Sequence, residues 1–163
     1  GAHIDRLVIV GEGPERDAIE GEAAACGIGH ILHLPGFMRE PARFVGLFDI
    51  FALSSFSEQY PISLIEAMAA GVPAASFAVG DVAHMVAPSN APFIVGAGEE
   101  ATLAAALTAL SLDPLRRAHI GADGQNLAQS RNDERSMLAQ YAALYDDAIG
   151  DPHFTRKLRD KPA

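Results

Sequence analysis

Short apolar runs that end abruptly in glycine turns constrain this chain more than any other feature. Leu7-Val8-Ile9-Val10 is wholly apolar and too short for a buried helix, and Gly11-Glu12-Gly13-Pro14 stops it ahead of a stretch rich in Glu and Ala. The pattern predicts a strand, a turn and a helix. Pro14 suits the first helical turn, Glu15 and Asp17 complement its positive end, and Gly27 or Gly29 can close it. Residues 31–34 make a second strand, turned by Pro35-Gly36. Pro41 starts a small helix carrying Phe44, Val45, Leu47 and Phe48, and residues 49–54 make a third strand. Residues 61–70 read as a helix ending at Gly71 and Pro73, with strands at 74–79 and 92–95. Leu103, Leu107 and Leu110 recur at helical spacing, so residues 99–112 form an amphipathic helix broken at Asp113-Pro114. Two further helices are expected near 115–128 and over 133–149. Short apolar strands alternating with helices predict an α/β fold, a doubly wound parallel sheet in three α/β/α layers.

Composition narrows the function. With 163 residues, 49% of them hydrophobic, the chain can bury one sizeable core, here expected over residues 1–150. Both lysines, Lys157 and Lys161, fall in a basic tail at 151–163, which reads as solvated or as a docking segment for a neighbouring domain. Twelve Lys and Arg against 21 Asp and Glu leave a net charge of −9, which opposes nucleic-acid binding. The uncharged stretches 67–80 and 82–98 are broken by Gly and Pro and fall short of the ~20 apolar residues of a spanning helix. No transmembrane segment is predicted, and the expected location is cytoplasmic. Gly1-Ala2-His3 resembles a remnant of cloning, so the natural N-terminus is expected elsewhere. Cys26, the only cysteine, excludes an intrachain disulfide or a Cys-rich zinc site and reads as an inert small hydrophobe. His30 and His33 lack a third ligand at metal spacing, so no metal is expected.

In a parallel sheet, ligands bind outside the carboxyl ends of the strands. Gly11-Glu12-Gly13-Pro14-Glu15-Arg16 is close to a dinucleotide fingerprint, but Arg16 replaces its third glycine, so a dehydrogenase is a runner-up, and a tight strand-to-helix turn with no ligand fits the motif equally well. More informative is the run from Ser54 to Pro73, whose carboxylates Glu58 and Glu66 stand eight residues apart. Flanked by Leu64, Ile65, Ala67 and Met68, Glu66 is expected to be buried on most sides and to need hydrogen-bond donors. Ligand hydroxyls could supply them, or Ser63-Leu64-Ile65-Glu66 could form a capping box with Ser63 at the N-cap. Glu58 could equally be a solvated turn carboxylate. The helix start at Pro61, Ile62 and Ser63 offers free backbone N–H groups suited to a phosphate.

Together these residues resemble the C-terminal, donor-binding domain of the family 4 (group 1) retaining glycosyltransferases. The match runs through Leu7-Val8-Ile9-Val10-Gly11-Glu12-Gly13-Pro14-Glu15, His33-Leu34-Pro35-Gly36-Phe37, Asp49-Ile50-Phe51-Ala52-Leu53-Ser54-Ser55, and Glu58 to Glu66, which fits the family's E-x7-E motif. It continues through Glu66-Ala67-Met68-Ala69-Ala70-Gly71-Val72-Pro73. The resemblance implies a Rossmann-like half of a GT-B fold. It also implies sugar transfer from a nucleoside-diphosphate donor with retention, usually without metal, in polysaccharide or glycoconjugate synthesis. By the same analogy Glu66 binds the ribose hydroxyls and Glu58 lies against the donor sugar as the catalytic candidate. Gln59, Tyr60, Pro61, Ile62, Ser63 and Leu64 hold the diphosphate and sugar; Gly11 and Gly13 complete the donor side, and Gly36, Phe37 and Met38 flank the nucleobase.

Three departures follow. The family's opening strand and helix, with an Arg and a Lys for the diphosphate, has no counterpart here, and its strand is central in the family's sheet. The chain is therefore expected to be a fragment whose gap closes by rearrangement or by strand exchange between two copies. The family's Gly-Gly-x-Pro-Glu turn appears as Val79-Gly80-Asp81-Val82-Ala83-His84, with His84 in place of Glu. The acceptor-binding N-terminal domain is also absent, so the chain alone is expected to be inactive, and the full enzyme could sit peripherally at a membrane. A GT-B-type nucleotide-sugar epimerase and a non-catalytic nucleotide-binding or interaction module remain as alternatives.

Overall fold

A computed structural model of the chain describes residues 4–149; the tail at 151–163 lies outside the described residues. The elements in order are β1 (Leu7–Val10), α1 (Arg16–Ala25), β2 (Leu32–Gly36), α2 (Ala42–Val45), β3 (Phe51–Leu53) and α3 (Ile62–Ala69). They continue with β4 (Ala74–Phe77), α4 (Val82–Met85), β5 (Ile94–Val95), α5 (Glu100–Leu112), α6 (Pro114–Arg131) and α7 (Glu134–Ile149). All pairings are parallel, which is the α/β class the alternation predicts. Element α4 was not foreseen, and α1 begins two residues after Pro14 rather than on it.

The strands divide into two sheets, β1-β2 and β3-β4-β5, instead of one continuous sheet. Among the described residues no rearrangement closes the break, which lies within the strand set where the resemblance puts a further strand. The two parts differ in cover. Every residue of β4 is buried, whereas Leu7, Ile9 and Val10 of β1 keep 36%, 37% and 36% of their surface exposed. A parallel strand is stabilised by neighbours on both edges and helices on both faces, and among the described residues only β4 has partners on both edges.

The core gathers around β4, whose Phe77 belongs to one buried cluster with Leu64 of α3, Val82 of α4, Leu110 of α5 and Ile120 of α6. Leu103 and Leu110 are buried and Leu107 partly so, as their spacing predicts. The amide of Asn90 is buried too, and it treats Ala74 as a strand neighbour would. Its Oδ1 accepts from Ala74 N at 2.9 Å and its Nδ2 donates to Ala74 O at 2.7 Å, so both backbone groups of the first β4 residue are satisfied.

Helix α3 ends at Gly71, whose φ of +75° lets the chain turn back so that Gly71 N bonds Met68 O and Val72 N bonds Ala67 O. The Gly71 carbonyl then meets α6 at Gly121, where a Cβ would overlap that oxygen. Gly124 faces Met68, and Gln125 Nε2 donates to Ala69 O at 2.9 Å. Glycines on α6 thus let it seat directly against α3.

Cys26, read from the sequence as an inert small hydrophobe, follows α1 and is exposed, because α1 turns only Ala23 fully inward. Its thiol donates to Glu22 Oε1 at 3.5 Å, and this hydrogen bond, then the charge of Glu22, pushes its pKa up. The raised pKa lowers the thiolate fraction at neutral pH. Alkylation by iodoacetamide is therefore expected to be slower than for a free cysteine and to rise with pH. Glu22→Gln should speed it at neutral pH by lowering that pKa, as mass spectrometry of the labelled protein would show. Asn90→Ala, which leaves two buried backbone groups unpaired, is expected to cost about 2–4 kcal/mol in urea denaturation.

Candidate functional site

The carboxyl ends of β3, β4 and β5 share one edge of their sheet, and the connection from β3 to α3 crosses it. Phe56 pins that connection by stacking on Phe77 at the end of β4, with ring centres 5.9 Å apart and planes at 28°. Pro61 is buried and extended, with φ −66° and ψ 116°, and sits at the N-cap of α3. The first turn closes with Leu64 N to Pro61 O at 3.2 Å and Ile65 N to Pro61 O at 3.4 Å. The N–H groups of Ile62 and Ser63 precede that turn and lie at the positive end of the helix.

Ser63 is the second residue of α3 and not its N-cap, so the capping box does not form. Its geometry requires the N-cap side chain to reach three residues on, and Pro61 offers none. The Glu66 carboxylate makes no hydrogen bond or ion pair among the described residues. Glu66 is half-buried rather than enclosed. Leu64, Ala67 and Met68 form the inward face of α3, while Ile62 and Ser63 are exposed, and Glu66 lies at the border of that face. Glu58 is also half-buried with no side-chain partner among the described residues, so it is not a fully solvated turn carboxylate.

The residues between them are held from behind. The Gln59 carbonyl accepts from Asp81 N at 2.9 Å, and the Tyr60 hydroxyl accepts from Asn132 Nδ2 at 2.9 Å. In the sequence Asp81 stood out only as part of the 79–84 turn, and Asn132 not at all. Asp81 could have been suspected at the N-cap of a helix after a glycine, but nothing local in the sequence marks Asn132.

The glycine turns meet each other. Gly11 N donates to Gly36 O at 2.9 Å, and both glycines have positive φ, +134° and +80°. Glu12 lies against buried Gly36, where a Cβ would stand 3.0 Å from Glu12 Oε1. Gly13 has no such constraint; Phe37 is 71% exposed and Met38 half-buried. Arg16, the residue in place of the third glycine, donates to Leu34 O at 3.3 Å and pairs with Glu20 at 3.1 Å. Among the described residues no hydrogen bond or ion pair links these turns to Glu58, Gln59, Tyr60, Pro61, Ile62, Ser63 or Leu64.

A cavity of about 320 Å³, lined by Ser54, Phe56, Phe77, Glu100, Leu103, Ala104 and Leu107, borders the connection on the α5 side. Another of about 400 Å³ lies at residues 87–89 and α6, away from both carboxylates. Neither is lined by Glu58 or Glu66. Among the described residues, no three His, Cys, Asp or Glu side chains converge as a metal site requires.

The family model described as glycosyl transferases group 1 matches residues 5–127. The chain is 30% identical over 144 residues to the lipopolysaccharide core biosynthesis glycosyltransferase LpsD of Rhizobium meliloti, covering 88% of this chain and 42% of LpsD. Among solved structures, sucrose-phosphate synthase from Thermosynechococcus elongatus superposes with a TM-score of 0.81 at 24% identity, covering 89% of this chain and 39% of that one. HepE of Anabaena, solved with UDP, gives 0.80 at 22% identity, covering 87% and 41%. This chain therefore spans less than half the length of each of the three. The solved structures establish the fold, that of the Rossmann-like C-terminal domain of GT-B enzymes. The match to that family model runs across most of the chain's length, and the element order agrees with it: the chain belongs to the group 1 glycosyl transferases.

Proposed function

We propose that this chain is the donor-binding part of an enzyme that moves a hexosyl-type sugar from a nucleoside-diphosphate sugar to an acceptor with retention of configuration, in polysaccharide or glycoconjugate synthesis. The observation that carries this reading is Glu66, a half-buried carboxylate with no protein partner among the described residues, one helical turn from the N–H groups of Ile62 and Ser63. A carboxylate in that setting favours a ligand that brings its own donors. The vicinal diol of a ribose offers two hydroxyls to its two oxygens, and such charge-assisted hydrogen bonds are about twice as strong as neutral ones.

The diphosphate of the same ligand would meet the start of α3. Oriented N–H groups at a helix N-terminus stabilise an anion, and they matter most as charge builds on the departing diphosphate. Glu58, on the connection before the helix, would face the donor sugar, with Gln59 and Tyr60 beside it. Gly11, Gly13, Gly36, Phe37 and Met38 are assigned to the donor by family resemblance, Phe37 offering an exposed ring for a nucleobase. Similar proteins support the same chemistry, since HepE is solved with UDP and LpsD is a lipopolysaccharide core biosynthesis glycosyltransferase. Acceptor binding falls to a domain beyond this chain, so donor binding without turnover is expected of the chain alone.

Ligand-observed NMR titration with UDP, GDP, ADP and their sugars tests this. One nucleotide class should bind, and Glu66→Ala should weaken it by about tenfold or more, equivalent to roughly 1.4 kcal/mol. Binding of none of them, or equal binding by the mutant, would overturn the assignment.

A further inference from the structure

The connection bearing Glu58 is backed by a turn whose backbone meets its carbonyls. Gly80 lies between β4 and α4 with φ +53°, flanked by buried Val79 and by Asp81 at the N-cap of α4. A Cβ at Gly80 would overlap the Glu58 carbonyl oxygen, and it would stand 2.7 Å from the Gln59 carbonyl oxygen and 2.8 Å from the Glu58 carbonyl carbon. The next residue completes the contact, since Asp81 N donates to the Gln59 carbonyl at 2.9 Å. The turn is itself anchored by Val79 and Val82, both in the core.

We propose that Gly80 is a positioning residue of the donor site: its lack of a side chain lets the 79–81 turn seat against the Glu58 and Gln59 carbonyls and so sets the direction of the Glu58 carboxylate. This rests on the donor-site reading above. The neighbours at stake are backbone atoms on both sides, so an added Cβ has no flexible side chain to push aside, and the connection must shift. Glu66 would be spared, because it stands on α3, held independently by α6 through Gly71 and Gly121. The shift would therefore touch the sugar side of the ligand and not the nucleoside.

Gly98 provides the control. Its φ of +79° is also in the left-handed region, yet no atom lies within 4 Å of a Cβ placed there. Gly98→Ala therefore carries the conformational strain of Gly80→Ala without the collision.

The test compares wild type, Gly80→Ala and Gly98→Ala by titration with the nucleoside diphosphate that wild type binds and with its sugar derivative, together with hydrogen exchange at the Asp81 amide. Gly80→Ala is expected to lower affinity for the nucleotide sugar at least about fivefold relative to the nucleoside diphosphate. It should also speed exchange at Asp81 by about tenfold, with Gly98→Ala leaving both unchanged. An unchanged affinity ratio, or the same loss in Gly98→Ala, would overturn the proposal. If Gly80→Ala does not fold, the wild-type Asp81 amide decides: extra protection by the nucleotide sugar beyond that given by the diphosphate supports the role, and equal protection refutes it. Wild type binding no nucleotide would sink the donor reading itself, and positioning of a donor with it. Exchange at Asp81 would still report whether the turn holds the connection, so the two failures are told apart.

Discussion

The meeting of two backbones at Gly71 and Gly121 governs much of this structure. Gly71 ends α3 by adopting a conformation that residues with side chains resist, and its carbonyl then faces a helix from which the side chain is also missing. Helix α6 can therefore lie close on α3, with Gly124 accommodating Met68 and Gln125 binding the last turn through Ala69 O. The consequence reaches the site. Packed this way, α3 turns Leu64, Ala67 and Met68 inward and leaves Glu66 at the border, half-buried and free of protein partners among the described residues.

A second set of backbone contacts holds the other carboxylate. Glu58 stands on a connection with little secondary structure, and what restrains it is borrowed from elsewhere: the Phe56 ring on Phe77, the Asp81 amide on Gln59, the Asn132 amide on Tyr60. One carboxylate is thus carried by a packed helix and the other by a loop that neighbours hold in place. Such a division suits a site in which one part of a ligand is simply held while another reacts. Among the described residues the β1-β2 pair has no comparable support. Its open strand edge and partly exposed Leu7, Ile9 and Val10 contrast with β4, which is covered by helices and paired on both sides.

Much of this was legible locally. Leu7-Val8-Ile9-Val10 followed by glycine and proline can hardly be other than a strand and a turn, and the Leu103, Leu107, Leu110 spacing identifies the buried stripe of α5. Gly71 was rightly placed at the end of α3 because a helix termination is written within a few residues. The capping box, one of the two readings open for Glu66, does not form: Ser63 and Glu66 have the right types at the right spacing, but Pro61 stands at the N-cap two residues earlier. Four-residue α4 escaped notice because so short a helix shows no period and is stabilised by burying Val82 and Met85.

The sequence by itself determined the order and kind of the elements other than α4, the family, and the placing of Glu58 before a helix and Glu66 within it. Those features depend on the periodicity of side chains and on glycine and proline, which act over a few residues. Only the tertiary structure decided that the strands divide into two sheets, that Glu66 is half-buried, and that Gly80, Asp81 and Asn132 stand behind the connection carrying Glu58. Strand partners and backbone contacts between distant segments depend on how the whole chain packs, and no local pattern of residues encodes them.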